Sequence, residues 1–503
     1  MPIELLQELF QQGRVDQLDV DICKSFAPSK ILGLYLSRAF RAGFMSVEVG
    51  EKCTPSVEII FLDDTMQAPS KELGEVLEKA IVEEFRAKRF PPECIKADGP
   101  KVSFPYAQAI ENSIVTNIKK IACAQPDVCL DEKKIPQILD CSSLHPDQRK
   151  AVEILLTTSC GFLTGGPGTG KTLTAGVWLE ALKKSALSPV YVGLAAPTGR
   201  AAKTLAASLQ KTFGENASFD VQTIHRLILS PFSHVPYNVL IVDECSMIDS
   251  ALFAKLLKVI RPGTRVLFLG DKDQLPPIDP GQPFAQLLTS FPQGAKKAHL
   301  SVSFRTESKE ILEVARAFLQ GEPSRKHTGA VSYFNIKELG TLIEKFIVEP
   351  WERATTLNDA NAALKDTILL TPTRVGPLGT QEINRFVHFR RKKNSLTPVV
   401  FLKNNHELGV MNGDLGILEK GHPLEHIYSL ELKIPAAICP QFEEAYAMSV
   451  HKSQGSEFYR VILVLPPHAI FTPNLLYTAA TRARGELIIV SENYPTSLIC
   501  AYN

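Results

Sequence analysis

Apolar positions along the chain follow two patterns, and their alternation predicts its architecture. Short unbroken apolar runs end at Leu163, Ala196, Val242 and Gly270, each leading into a polar loop. Runs of that length and content read as strands buried on both faces, the kind that parallel sheets use. Between the first two, residues 173–184 carry apolar side chains at helical spacing, and a helix opens near residue 143. Upstream, residues 5–10, 31–44 and 73–85 read as amphipathic helices and residues 57–62 as a strand. Residues 126–139, with two prolines and a charged centre, read as a connection. The pattern predicts a mainly helical domain over 1–125, expected to dock or pack because it holds no catalytic motif, and an α/β region beyond it.

The loops after the strands carry the chemistry. Gly165-Gly166-Pro167-Gly168-Thr169-Gly170-Lys171-Thr172 stands between a strand and a helix, the context a phosphate-binding loop needs. Its glycines let successive N–H groups face phosphate oxygens at a helix N-terminus. Lys171 is expected on the β- and γ-phosphates of ATP and the Thr172 hydroxyl on Mg²⁺. Ahead of it Gln148, whose amide is both donor and acceptor, is a candidate reader of the adenine edge. Asp243 and Glu244 end the run Val239-Leu-Ile-Val. Adjacent acids at the end of a buried strand are costly unless a cation or a proton-transfer task retains them. Asp243 is therefore expected at the metal and Glu244 as the base that polarises the attacking water. Gln274, with Asp271 before it, is expected to sense the γ-phosphate. Thr198 and Arg200 after one strand, and His225 in Thr223-Ile-His-Arg226, suit a phosphodiester backbone.

Composition narrows the class without deciding it. A length of 503 residues exceeds one core and implies several domains. No stretch approaches the roughly 18 apolar residues of a membrane span. The acidic, amphipathic start does not read as a secretory signal. Ten cysteines without C-x-x-C pairs suggest reduced core thiols in a cytoplasmic protein rather than a zinc or iron–sulfur site. The formal net charge of +1 means that any groove for nucleic acid is a local feature.

With these segments in order, the chain resembles superfamily 1 helicases. Leu300-Ser-Val-Ser-Phe-Arg305 looks like the motif of a first arginine finger. Leu370-Thr-Pro-Thr373-Arg with Gly379 and Asn384 looks like a strand-binding loop. Asn412-Gly-Asp414, then His451-Lys-Ser453-Gln454-Gly455 and Thr481-Arg482-Ala-Arg484, complete the set. It is similar to the 5′→3′ branch and to the RecD family, the α subunits of exodeoxyribonuclease V. The resemblance implies two RecA-like parallel-sheet motor domains, 126–300 and 301–503, with ATP between them, and a small SH3-like β insertion at about 389–440. It further implies Arg305 and Arg482 as catalytic fingers, Gly455 at the nucleotide, and Thr373, Ser453 and Gln454 on single-stranded or duplex-end DNA. RecB-like and RecC-like subunits are the implied partners. The run Arg390-Arg391-Lys392-Lys393 suits either DNA phosphates or a solvated face.

Only twelve residues (227–238) separate Arg226 from Val239, where stand-alone relatives carry a longer pin that splits the duplex. That departure favours translocation inside a complex over unaided unwinding. A stand-alone DNA helicase, an RNA helicase and a non-hydrolysing nucleotide-binding scaffold subunit are the competing readings.

Overall fold

The computed structural model describes residues 5, 9, 11–12, 14–15, 19, 30–61, 69–87, 95–140, 142–214, 219–230, 234–304, 309–321, 329–392, 396–403, 405, 408–420, 425–429, 432–467 and 471–492. They fall into two compact units, one within Met1–Phe61 and Pro69–Phe304 and the other within Arg305–Asn503.

The first unit holds a sheet of six parallel strands: β5 (Cys160–Gly165), β6 (Val192–Ala196), β7 (Asp220–Thr223), β8 (Val239–Val242), β9 (Arg265–Gly270) and β10 (Lys296–Leu300). Their spatial order is β10-β5-β9-β8-β6-β7, every pairing parallel. Alternate residues divide between two cores. Phe162, Phe268, Leu240 and Val242 pack to one side, and Leu163, Leu267, Leu269 and Ile241 to the other. Burial on both faces explains why these strands are unbroken apolar runs rather than alternating ones. The helix Pro105–Cys123, within the stretch read as the N-terminal domain, sends Ile114, Ile118 and Ile121 into the first of these cores.

Before that helix, the chain builds a module of mixed character. The helices Lys30–Arg41 and Lys71–Arg86 match the amphipathic readings; of 5–10, only Leu5 and Leu9 are described, both helical. Alongside them stands an antiparallel sheet that the hydrophobic pattern did not predict: β1 (Ser46–Val49), β2 (Cys53–Thr54), β3 (Lys96–Asp98) and β4 (Lys101–Ser103), in the order β2-β1-β4-β3. The expected strand at 57–62 is instead a helical turn, Val57–Ile60. Short apolar runs fit either state, and here the turn lets Val57, Ile60 and Phe61 share a core with Tyr35 and Leu77. Among the described residues, a backbone bond joins the module to the sheet domain: Gly281 N–H donates to Gly43 O at 2.7 Å. Residues 227–238 form no strand among those described; Val235 and Tyr237 are buried in the core, and Val235 N–H donates to Val259 O.

The second unit carries a parallel sheet of β11 (Val331–Asn335), β12 (Thr367–Thr371), β18 (Ala447–Ser449), β19 (Phe458–Leu465) and β20 (Ala483–Ser491), in the order β11-β20-β19-β12-β18. An antiparallel sheet interrupts its sequence: β13 (Leu396–Phe401), β14 (Leu415–Glu419), β15 (His426–Ser429), β16 (Leu432–Pro435) and β17 (Phe442–Glu444). The insertion thus runs from 396 to 444, because residues up to Arg390 still belong to the helix Thr380–Arg390.

The basic run at 390–393 divides. Arg390 is exposed, its guanidinium over the Phe386 ring and its Nε 3.5 Å from Glu344. Arg391 is not a surface residue. Only 5% exposed, it donates to Leu396 O at 2.9 Å, to Trp351 O at 3.1 Å and to the Tyr446 hydroxyl, tying the helix to the insertion and the sheet. Lys393 lies outside the described residues. Arg391→Ala leaves buried acceptors without a donor, at roughly 1–3 kcal/mol each. Its melting temperature should fall by several degrees in thermal denaturation, while Arg390→Ala stays within about 0.5 kcal/mol of wild type.

Candidate nucleotide-hydrolysis site

Strand order brings the predicted residues together. β5, β9 and β8 are adjacent and parallel, so the loops at their carboxyl ends stand side by side, where open α/β sheets bind ligands. These loops hold Lys171 and Thr172, then Asp271 and Gln274, then Asp243 and Glu244.

The phosphate-binding loop is braced by its own atoms. Thr169 Oγ1 donates to Gly166 O at 2.8 Å, and Lys171 Nζ donates to Gly165 O at 2.6 Å and Gly166 O at 3.1 Å. Gly170 has φ +78°, and a Cβ there would stand 2.4 Å from Gln148 Nε2, so both backbone and space demand glycine. Thr172 is the second residue of the helix Lys171–Ser185. Pro167 and Gly168 anchor the segment after β10: Phe304 N–H donates to Gly168 O at 2.9 Å and the Ser303 hydroxyl to Pro167 O at 3.2 Å.

Gln148 takes a different part from the one its residue type suggested. It is 3% exposed; its oxygen accepts from His145 N–H at 3.1 Å and its nitrogen donates to Thr169 O at 3.0 Å. One N–H and one lone pair of the amide expected to read adenine thus fix the phosphate loop against the helix Pro146–Leu156. The first of these bonds is half of a capping box whose N-cap is His145. Serine, threonine, aspartate or asparagine usually fills that position, which hid the signal. Asp147 adds a second brace, accepting from Ser301 N–H at 2.9 Å.

The two acids differ in backbone and in setting. Glu244 is the one non-glycine residue with positive φ among those described, at 52°. Holding a glutamate there costs about 1–3 kcal/mol, a strain that clusters at functional sites. Its N–H donates to Asp243 Oδ1 at 2.8 Å. Burial, and then the Glu244 carboxylate, push Asp243 up to about 7, opposed by that N–H and by the Lys171 ammonium. A carboxyl so placed fits Mg²⁺, since a divalent cation would hold it ionised. Asp271, 2% exposed, accepts from Gln274 Nε2 at 3.3 Å and from Asp273 N–H at 3.1 Å, orienting the Gln274 amide.

In the second unit, Arg482 is 5% exposed and donates to Thr478 O at 3.2 Å and Ser456 O at 3.3 Å, beside the turn at Gly455 (φ +73°). Arg305 lies outside the described residues.

The DNA candidates separate by access. Thr198 caps the helix Gly199–Phe213 through Ala201 N–H at 3.2 Å; Arg200 is half-buried and His225 exposed. Ser453 does not reach a surface: it is fully buried and its hydroxyl donates to Val450 O at 2.7 Å. Thr373 is 7% exposed, its carbonyl accepting from Thr380 N–H. Both shape their turns. Gln454 is half-buried.

Residues 143–335 match the AAA domain family, and residues 444–490 the UvrD-like helicase C-terminal domain. The chain is 29% identical over 423 residues to the RecBCD enzyme subunit RecD of Mycobacterium tuberculosis, covering 73% of each chain. It is a relative of RecD. It is also 30% identical over 425 residues to the ATP-dependent RecD2 DNA helicase of Deinococcus radiodurans, covering 78% of this chain but 56% of that longer one. Among solved structures it is similar to a Bacteroides Pif1 helicase in complex with ADP-AlF3 and ssDNA, at 17% identity and a TM-score of 0.43 over 71% of this chain and 95% of that chain. No helix among the described residues is long and apolar enough to cross a membrane.

The Asp243 shift has a measurable sign. The folded protein retains a proton that the unfolded chain releases near 3.8, so stability is lost as pH rises from there towards 7. In nucleotide-free protein at pH 8, Asp243→Asn should therefore melt higher than wild type by on the order of a few degrees, the gap narrowing at pH 5 and closing only as the pH nears 3.8. Scanning calorimetry at both pH values checks this; equal melting at pH 8 refutes it.

Proposed function

We propose that this chain is an ATP-driven 5′→3′ DNA translocase, the motor subunit of a RecBCD-type exodeoxyribonuclease V that acts in double-strand-break repair in the cytoplasm. The observation that carries the reading is the strained Glu244 beside Asp243, at the carboxyl end of a strand two places from the phosphate loop. A nucleotide-binding scaffold needs the loop alone; it has no use for a strained acid next to a second one.

The residues divide the work as follows. Loop N–H groups and Lys171 hold the β- and γ-phosphates, their geometry kept by Gln148. Glu244 accepts the proton of the attacking water, and Gln274, oriented by Asp271, meets the γ-phosphate. Thr172 and Asp243 would hold Mg²⁺, which would neutralise charge on the phosphate oxygens. Arg305 and Arg482 act as fingers, because a guanidinium is always charged and forks onto phosphate oxygens. Single-stranded DNA is gripped through phosphates and stacking, with Thr198, Arg200, His225 and Gln454 as contacts.

Two observations support the complex-bound form: relatives named RecBCD enzyme subunit RecD, and a short 227–238 segment whose Val235 and Tyr237 are packed into the core. The likeness to the Deinococcus radiodurans RecD2 helicase favours a second reading, a helicase that unwinds alone. Unwinding of a 5′-tailed duplex by the purified chain separates the two.

DNA-stimulated ATP hydrolysis tests the motor itself. Glu244→Gln should lower kcat by about 10²–10⁴-fold with ATP binding retained, and Lys171→Gln should lose both. Equal, negligible turnover in wild type and Lys171→Gln would end the motor reading.

A further inference from the structure

The helix Thr380–Arg390 buries Thr380, Ile383, Asn384 and Val387. Asn384 fixes it against β18: its nitrogen donates to Ala447 O at 3.0 Å and Glu444 O at 2.9 Å, and its oxygen accepts from Ala447 N–H at 2.7 Å. On the other side of this rigid helix, two phenylalanines face outward three residues apart. Phe389 is 74% exposed and Phe386 41%. Each carries a guanidinium near its ring, Arg385 at 5.8 Å from Phe389 and Arg390 at 5.7 Å from Phe386. Core packing explains neither ring.

Beside Phe389 lies a pocket of about 400 Å³, walled by Gln381, Arg385, His388 and Phe389 on the helix and by Glu443 and Glu444 from β17. Its acids are already paired. Glu443 meets Lys452 and, at 3.6 Å, Arg374; Glu444 Oε1 lies 2.7 Å from His388 Nδ1. Arg374 follows Thr373 in one predicted strand-binding loop, and Lys452 lies between His451 and Ser453 in the other. The pocket therefore flanks the place where both loops converge, with cations suited to phosphate on one side and an aromatic wall on the other.

We propose that this pocket takes an unstacked nucleobase of single-stranded DNA, with Phe389 as its stacking wall and the Gln381 amide and His388 on its edge. The inference rests on the translocase reading and adds a base-contacting site to it. An exposed ring offers its π-face to any base, so the site is sequence-tolerant. Paired acids and amide walls suit a base edge better than the apolar side chains of a protein partner. A duplex, whose bases are stacked and paired, does not fill it.

The test uses the full chain and a dT oligonucleotide, with Kd measured across a salt titration, and a second oligonucleotide containing 2-aminopurine. Stacking is sequence-tolerant and carries no counterion release, whereas phosphate contacts set the salt slope. Phe389→Ala should weaken binding by about five- to a hundredfold with an unchanged slope, and should lose the 2-aminopurine quenching that wild type gives. Phe389→Tyr should restore both, and circular dichroism reports that each variant is folded. Equal affinity in wild type and Phe389→Ala overturns the base pocket and leaves the rings to a protein partner. So does a loss accompanied by a shallower salt slope, which marks a phosphate contact. Failure of wild type to bind the oligonucleotide at all overturns the translocase reading itself.

Discussion

Two carboxylates in succession, at the end of a strand buried on both faces, are a liability that only positive charge relieves. Asp243 and Glu244 impose that condition on everything around them. The strand must sit near a cation, and the order β5-β9-β8 puts the Lys171 loop two strands away, close enough for its ammonium to pull against the upward shift of Asp243. The backbone must turn sharply after Asp243 so that the second acid does not continue into the core, and Glu244 takes a left-handed conformation to do so. Such a turn persists only where surrounding structure over-determines it. Here the buried Cys245, whose thiol donates to Val242 O, and the Met247 N–H bond to Glu244 O hold it.

The same logic explains which parts of the molecule could be read from sequence. Strands buried on both faces leave an unmistakable trace of apolar runs, and the loops after β5, β8 and β9 carry residue types that only phosphate chemistry assembles. The antiparallel sheet β1–β4 left no such trace, because its strands span two to four residues and β3 is exposed along its whole length. Periodicity needs more residues than that to show itself. Side chains with two plausible roles were equally opaque. Gln148 looked like a base reader until the amide was seen bonded to Thr169 O; Arg391 looked like part of a basic surface until three acceptors were found around it. Ser453 stands in a segment expected to contact DNA, yet its hydroxyl donates to Val450 O within its own turn. In each case residue type is visible in the sequence and orientation is not.

Loops that carry reactive groups are held here by residues that do no chemistry. Gln148 and Asp147 fasten the phosphate loop and the segment after β10 to one helix, and Phe304 N–H fastens that segment to Gly168. In the second unit Asn384 does comparable work, joining a helix to the edge strand β18 through two bonds to Ala447 and to β17 through one to Glu444 O. Preorganisation of this kind keeps donors aimed before the ligand arrives, which is where much of an enzyme's electrostatic advantage originates.

The bond from Gly281 to Gly43 has a consequence of its own. Gly281 follows Gln274 by seven residues, and its φ of +94° and the Ser250 side chain pressed against it leave no room for any other residue. The loop after β9 is thus tethered at its far end by the turn at Gly43, far earlier in the chain. A change in the turn at Gly43 therefore reaches the loop after β9 through this bond as well as through Phe40 and Met45, which line one pocket with Asp279 and Pro280. Excising the module would leave the Gly281 N–H without its acceptor and that loop without this packing.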